Sequence, residues 1–421
     1  MNGELPEFPE LPAPPERPSP YAPPAADPAS ARTPLHGLLV FVLTGLGGAV
    51  VGVVATSAIL WMPVLLQWPW LDRYLAAIPE MSVLWAVTFC LLMLWPQVLL
   101  HEGGHALAGL ARGMQPLAFG VGPWRWERGG DRWRLRRGGH VRGVSGFAIL
   151  LPRGERGQSR FDQFAYLIGG PAANLTTLAA VLVLLPLTTD APVAASFLAG
   201  TGAGAATLGL INLLPFETHG WRSDGRNILD LFRRSPDAER ARRVRATLGL
   251  VSAGVRPRDW PAAILPELPD ERTAPPDLVG IQAASQLLAH ALDRGDAVLA
   301  RRCARLLAVG HAAVPEAMRP HVAIGMASFA ACIERDRELL AAWRELSEGG
   351  LFDLSAIRAW LDAELAMLSG DRAGVQTALA TARALRTRVP DEVTALQLDE
   401  LLVGVETWLS AAQPVPTVKD A

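Results

Sequence analysis

The sequence has little charge and little cysteine. Charged residues make up 19% of the chain and hydrophobic residues 50%, whereas an average soluble protein is about 25% charged. The formal net charge of −2 gives the chain no general attraction to nucleic acid, so no nucleic-acid partner is expected. The three cysteines are widely spaced and form no Cys-x-x-Cys pair, which argues against a disulfide scaffold and a zinc finger.

Charge is missing altogether from four long stretches. No Asp, Glu, Lys or Arg occurs in 33–71, 81–100, 163–189 or 191–216. A helix needs ~20 apolar residues to cross the hydrocarbon core of a bilayer, and each stretch is long enough. Four buried helices of a soluble protein in succession are the less favoured alternative. The sequence therefore predicts a mainly α-helical, polytopic membrane bundle with about four spans.

Arginine is distributed unevenly between the connections. Residues 111–160 contain eleven arginines, whereas the connection at 72–80 has one and the connection around Asp190 has none. Connections rich in Lys and Arg stay in the cytoplasm. We therefore expect a multi-pass protein of the inner or plasma membrane with both termini cytoplasmic.

Within the basic connection, apolar and charged residues alternate on both sides of a glycine-rich turn. The alternation over 117–127 and 132–137 predicts a small β-hairpin at the membrane surface, with its tryptophans at the interface. The alternative is a solvated basic loop that serves only to fix the topology.

Composition divides the chain into five segments. The first is rich in proline and acidic residues and is expected to be disordered. After the membrane region, a proline-rich linker leads to a soluble helical segment. The predicted segments are a disordered tail (1–34), the membrane domain (35–235), a helix and proline-rich linker (236–277), a cytoplasmic helical domain (278–412) and a second disordered tail (413–421).

The cytoplasmic helical domain contains turns at similar intervals. Short turns occur at 294–296, 334–336 and 370–372. This spacing favours a repeat-like array of paired helices, and a plain helical bundle is the alternative. From its position alone, the domain is expected to bind a cytoplasmic protein partner.

The strongest chemical signal is the motif His101-Glu102-Gly103-Gly104-His105, at the end of the second uncharged stretch. On a helix, residues four apart share a face, so both imidazoles can bind one zinc ion. Glu102 is placed to act as a general base toward a water that the metal activates. Ionisable groups at the end of a bilayer span are costly and usually functional. The alternative is a pair of interfacial histidines without metal.

A catalytic zinc needs a third protein ligand. The fourth stretch ends on the same side of the membrane as the motif and leads to Asp224, which we favour as that ligand. Glu217 and His219 remain rival ligands in the same segment. The third stretch begins on this side too and places Asn174 beside the site. The Asn174 amide could bind a substrate backbone or hold the site together, or it could be only a packing contact.

Three motifs in this order resemble the site-2 protease family of intramembrane metalloproteases. They are the HExxH motif at 101–105, the Gly-Pro-x-x-Asn segment at 170–174 and the Asn-x-x-Pro and Asp-Gly segments at 212–225. The resemblance covers residues 80–232. The chain departs from the family in one respect. The link between Pro215 and Asp224 is longer than family members commonly have.

This resemblance implies a function and a set of site residues. It implies one zinc ion per chain, bound by His101, His105 and Asp224, with Glu102 as the catalytic acid and base. It implies that Asn174 and Asn212 lie near the substrate path, and that a membrane protein is the substrate. The rival interpretations are a non-proteolytic membrane scaffold that binds partners through its helical domain, and a metal transporter.

Overall fold

The computed structural model describes residues 19–24, 69, 75, 80–129, 132–137, 145–152, 159–188, 190–218, 221–233, 235–270 and 276–411. These residues form an apolar helical bundle, a small antiparallel sheet at one end of it, and a helical domain that packs against the sheet. Apart from residue 69, the uncharged stretch 33–71 with its predicted span lies outside the described residues, and so does the predicted tail 413–421.

The bundle consists of α1 (Val83–Ala111), α2 (Arg160–Leu184) and α3 (Pro192–Leu213). Within the described ranges, these are the helices long and apolar enough to cross a membrane, α2 together with the short 3-10 turn that follows it. Large apolar side chains on α1 face outward, and Val83 and Leu107 are each more than two-thirds exposed. An apolar outer surface is what lipid contact requires.

The three helices pack closely because glycines lie at their crossings. A Cβ on Gly104 would meet the Gly169 carbonyl oxygen at 2.3 Å, and a Cβ on Gly169 would meet the Gly104 carbonyl oxygen at 2.5 Å. In the same way, a Cβ on Gly200 of α3 would meet the Ala86 carbonyl oxygen at 2.4 Å. Small residues let helix backbones approach in lipid, where helix association depends on close packing.

The basic connection forms a four-stranded antiparallel sheet. Its strands are β1 (Gln115–Val121), β2 (Trp124–Gly129), β3 (Arg132–Arg137) and β4 (Gly146–Leu151), in the order β3-β2-β1-β4. The second arm of the predicted hairpin, 132–137, is β3, but the first arm, 117–127, is divided by a turn at 122–123 between β1 and β2, and β4 lies outside the prediction. An uninterrupted apolar strand such as β4 has no alternating pattern to reveal it.

Beyond α3 the chain turns back toward the bundle. A short hairpin with two residues in each strand, β5 (Glu217–Thr218) and β6 (Trp221–Arg222), precedes α4 (Asp224–Phe232). Next comes α5 (Pro236–Ser252), followed by the proline-rich linker. The linker packs on the helical domain, where Trp260 is buried and stacks on His290.

The helical domain is built from helical hairpins. Its helices are α6 (Leu278–Arg294), α7 (Ala297–Gly310), α8 (Arg319–Phe329), α9 (Arg337–Glu345), α10 (Ser355–Leu368), α11 (Arg372–Leu385) and α12 (Glu392–Ala411).

Three turns in this domain share one design. Each has a residue in the left-handed region followed by an aspartate that caps the next helix: Gly295-Asp296, Arg335-Asp336 and Gly370-Asp371. The aspartate carboxylate accepts the orphan amides at the start of the helix. The turns lie where the sequence predicts them, and their recurrence fits an array of paired helices.

Arginines of β2 and β3 contact the helical domain. Arg125 is buried and donates to the Gly350 carbonyl at 2.7 Å, and Arg136 donates to the Leu351 carbonyl at 3.4 Å and to Glu127 at 2.8 Å. Arginines of the basic connection therefore join the helical domain to the sheet.

Residues 19–24, inside the predicted disordered tail, form a turn that packs on the helical domain.

Candidate metal centre

Three predicted ligands meet where the C-terminal half of α1 faces the start of α4. The Nε2 atoms of His101 and His105 lie 3.1 Å and 3.3 Å from Oδ2 of Asp224, and 3.3 Å from each other. The two histidines are buried, and Asp224 is mostly buried. The fold thus brings together an i, i+4 pair on one helix and the first residue of α4, which lies 119 positions after the second histidine.

The spacing of these atoms fits a metal ion. Bonds of ~2.0–2.1 Å to a tetrahedral zinc would place its ligand atoms about 3.3–3.4 Å apart. The three observed separations are 3.1–3.3 Å. Two imidazoles and one carboxylate leave a fourth position open, as catalytic zinc sites do.

The tautomer of His101 is set by Asn174. Nδ1 of His101 lies 2.6 Å from Oδ1 of Asn174, so Nδ1–H donates to the amide oxygen. The Asn174 amide nitrogen donates to the Gln97 carbonyl at 3.0 Å and to Oε1 of Gln97 at 2.8 Å, which fixes the orientation of the amide. With its proton on Nδ1, a neutral His101 directs the Nε2 lone pair at the metal position.

His105 is oriented by the backbone of α2. Its Nδ1–H donates to the Tyr166 carbonyl at 2.7 Å, so its Nε2 lone pair also faces Asp224. The Tyr166 hydroxyl donates to the Ala148 carbonyl at 2.5 Å. Tyr166 therefore links the second ligand to strand β4.

Glu102 lies between the two histidines in sequence and beside β4 in space. It is 9% exposed. A Cβ on Gly146 would meet its Cγ at 2.8 Å, so the strand can pass this close only with glycine there. The Ala148 amide and the three ligand side chains all interact electrostatically with the Glu102 carboxylate.

Gly170 keeps the metal position open from the α2 side. A Cβ at this residue would lie 2.4 Å from Nε2 of His105 and 2.8 Å from Nε2 of His101. Any side chain here would enter the space that the two lone pairs face.

Asp224 is held where α3 ends and α4 begins. Ser223 caps α4 by accepting from the Arg226 amide at 3.2 Å and donates to the Leu214 carbonyl at 2.6 Å. Burial raises the pKa of Asp224, but the two histidines beside it outweigh burial and lower this pKa below its ordinary value. The carboxylate form, which binds metal, is the favoured one.

The other predicted residues lie elsewhere. Glu217 pairs with Arg222 at 3.3 Å and is not one of the clustered ligands. His219 lies outside the described residues. Asn212 donates to the Leu208 carbonyl of its own helix at 2.9 Å, and Asn174 is fully buried behind His101. The expected contacts of Asn212 and Asn174 with substrate stay predictions.

Gln97 and Tyr166 belong to the site although the sequence did not single them out. Gln97 is the one amide in the uncharged stretch 81–100, one helical turn before His101, and a polar group so placed is a usable signal. Tyr166 acts on His105 through its backbone carbonyl, and no side-chain pattern announces such a contact.

A scan against protein-family models and searches of curated proteins and solved structures found no match to this chain.

Proposed function

We propose that this protein is an intramembrane zinc metalloprotease that hydrolyses peptide bonds of membrane-spanning or membrane-associated proteins. The observation that carries the proposal is the group of three ligand atoms 3.1–3.3 Å apart beside a buried glutamate in the C-terminal half of an apolar helix. One zinc ion per chain would be held by His101, His105 and Asp224.

The residues of the site divide the chemistry between them. A zinc ion bound here would act as a Lewis acid on the scissile carbonyl and on water. Glu102 would take the proton of the attacking water and then deliver it to the leaving amine. Asn174 and the Tyr166 carbonyl would keep both imidazoles in the metal-binding tautomer throughout.

The position of the site suits a substrate within the membrane. On a helix that rises ~1.5 Å per residue, His101 lies about 27 Å from Val83, near the far side of a ~30 Å hydrocarbon core. Strand β4 is an edge strand and passes Glu102 at Gly146. A substrate segment that has lost its helical structure could add to this edge, with its backbone beside the general base.

The orientation that we propose places both termini in the cytoplasm. Residues 19–24 contact the helical domain, so the segments before and after the bundle share one side, which requires an even number of crossings. Three candidate spans are described. A crossing by the predicted span within 33–71 would make the number even.

Substitution of Glu102 tests the proposal. Glu102→Gln keeps the metal ligands but removes the base, so we expect about one zinc per chain and cleavage reduced at least ~100-fold. His101→Ala removes a ligand and should lose both zinc and cleavage. The measurements are metal content of the purified chain and mass-spectrometric comparison of new termini in the membrane proteomes of cells that make each form.

The same comparison addresses the rivals. If the protein is a scaffold or a transporter, wild-type cells should contain no membrane-protein termini that disappear in cells making Glu102→Gln. Equal sets of termini from wild type and Glu102→Gln would overturn the protease assignment while leaving the metal centre standing.

A further inference from the structure

The segment Ser19-Pro20-Tyr21-Ala22 is a β-turn held by its own backbone and side chains. The Ala22 amide donates to the Ser19 carbonyl at 2.9 Å, and the Tyr21 amide donates to the Ser19 hydroxyl at 3.3 Å. Serine at the first position and proline at the second are the residues that favour such a turn. Local sequence thus predisposes this short stretch to one shape.

The turn is seated on two aromatic side chains of the helical domain. The Tyr21 ring meets Phe329 edge to face, with ring centroids 5.1 Å apart. The indole Nε1–H of Trp343 donates to the Tyr21 carbonyl at 2.8 Å. Phe329, at the end of α8, and Trp343, in α9, are both 0% exposed with the segment in place.

The contact has the features of ligand recognition. Trp343 is a core residue, yet its indole donor is directed at a backbone carbonyl more than three hundred positions away in the sequence. A buried N–H without a partner is costly, so the domain is most stable with a carbonyl in this place. Edge-to-face rings add a geometric requirement for an aromatic side chain next to that carbonyl.

We propose that Phe329 and Trp343 form a peptide-recognition cleft for a proline-preceded tyrosine in a β-turn, and that Ser19–Pro24 occupies it as an intramolecular ligand. The cleft is separate from the metal centre, and the inference does not rest on the proposed protease function. A second polypeptide with the same turn would bind only by displacing Tyr21. Because the segment is tethered, its effective concentration at the cleft would be high, on the order of millimolar.

Matched tryptophan substitutions test whether Trp343 holds the turn. Trp343→Phe removes the indole donor, and Trp360→Phe makes the same change at another buried core tryptophan, which is 1% exposed. Chymotrypsin cleavage of the Tyr21–Ala22 bond in the full chain, followed by mass spectrometry, should be at least ~5-fold faster in Trp343→Phe and unchanged in Trp360→Phe, since a docked turn resists proteolysis. Equal rates in the two variants would overturn the proposal.

A peptide tests recognition directly and does not depend on a core substitution. The probe is a fluorescent peptide of residues 15–28, added to the full chain in detergent. It should bind the Tyr21→Ala chain at least ~10-fold more tightly than wild type or Pro24→Ala, because only Tyr21→Ala vacates the cleft. A peptide carrying Tyr21→Ala should not bind. Equal binding to all three chains, or no binding to any, would overturn the proposal.

Discussion

At the scale of single residues, the amide of Asn174 determines the tautomer and the orientation of the His101 ring. Asn174→Ala would remove the acceptor of the His101 Nδ1 proton and leave Gln97 without its partner. We expect zinc affinity to fall about 10–100-fold, the usual effect of losing such a supporting group. The measurement is a competition titration of the purified chain with a zinc chelator.

Asn212→Ala is the matched control for this prediction. The Asn212 amide bonds only within α3, to the Leu208 carbonyl among the described partners. Its loss should change zinc affinity less than ~2-fold, since no ligand depends on it. A similar loss of affinity in both variants would mean that general damage to the bundle, and not the release of His101, is responsible.

Gly170 and Gly103 give a second matched pair. Gly170→Ala would place a methyl group 2.4 Å from Nε2 of His105, whereas a Cβ on Gly103 has nothing within 4 Å. We expect Gly170→Ala to purify with less than about a tenth of the wild-type zinc, because the methyl group occupies the side from which the ligands face the metal. Gly103→Ala should keep its zinc. Full zinc content in Gly170→Ala would show that the metal lies elsewhere.

How far the site could be predicted differs from residue to residue. His101 and His105 follow from helical spacing, whereas counting which ends of the uncharged stretches share a side of the membrane led only to the segment 217–224, where Asp224 was favoured over Glu217 and His219. The groups behind the ligands depend on helix crossings. The Tyr166 carbonyl reaches His105 only because α1 and α2 approach closely at Gly104.

At the scale of elements, α8 carries a partly buried histidine, His321, which we expect to make the helical domain sensitive to acid. Both ring nitrogens of His321 are buried and have no hydrogen-bond partner among the described residues. Burial lowers the pKa of His321 from 6.5 to about 4. Between pH 6.5 and pH 4 the histidine is protonated in the unfolded chain but neutral in the folded domain. The contribution of the neutral His321 to the free energy of unfolding is therefore fully present above pH 6.5 and is lost as the pH falls toward 4.

The magnitude can be measured by comparing wild type with His321→Leu. By pH 5 the wild-type domain should have lost about 2 kcal/mol through this histidine, a loss that the variant cannot show. Thermal unfolding of the full chain, followed by tryptophan fluorescence at pH 7.5 and pH 5, should therefore show a larger drop in Tm for wild type. An equal drop in both chains would show that His321 does not cause the acid sensitivity.

Elements with local signals were predicted well. The turns at 294–296, 334–336 and 370–372 were predicted, and in the structure each combines a left-handed residue with an aspartate that caps the next helix. Strand β4 was not predicted, because its sequence is continuously apolar and its strand character comes from pairing with β1. The turn at 19–24 was missed for a similar reason, since its proline-rich surroundings indicate disorder and its contacts lie far along the chain.

At the scale of the whole molecule, the basic connection has a role beyond topology. Its arginines lie between the metal centre and the helical domain: β4 touches Glu102, while Arg125 of β2 and Arg136 of β3 donate to carbonyls of the loop at 347–354. The basic content was used to predict the side of the membrane, and that orientation stays a prediction. The docking itself was not predictable, since the acceptors are backbone carbonyls that any sequence would supply.

Arg125 is the most buried of the arginines that contact the helical domain, with 4% exposure, and it donates to the Gly350 carbonyl at 2.7 Å. Arg125→Ala would take away the donor and leave a cavity at the interface, so we expect amide hydrogen exchange across 347–354 to speed up at least ~10-fold. Arg137→Ala removes the same charge from an exposed position on β3 and should leave that exchange unchanged. If the two variants behave alike, net charge and not the buried hydrogen bond holds the domain to the sheet, and adding salt to wild type should then reproduce the same increase.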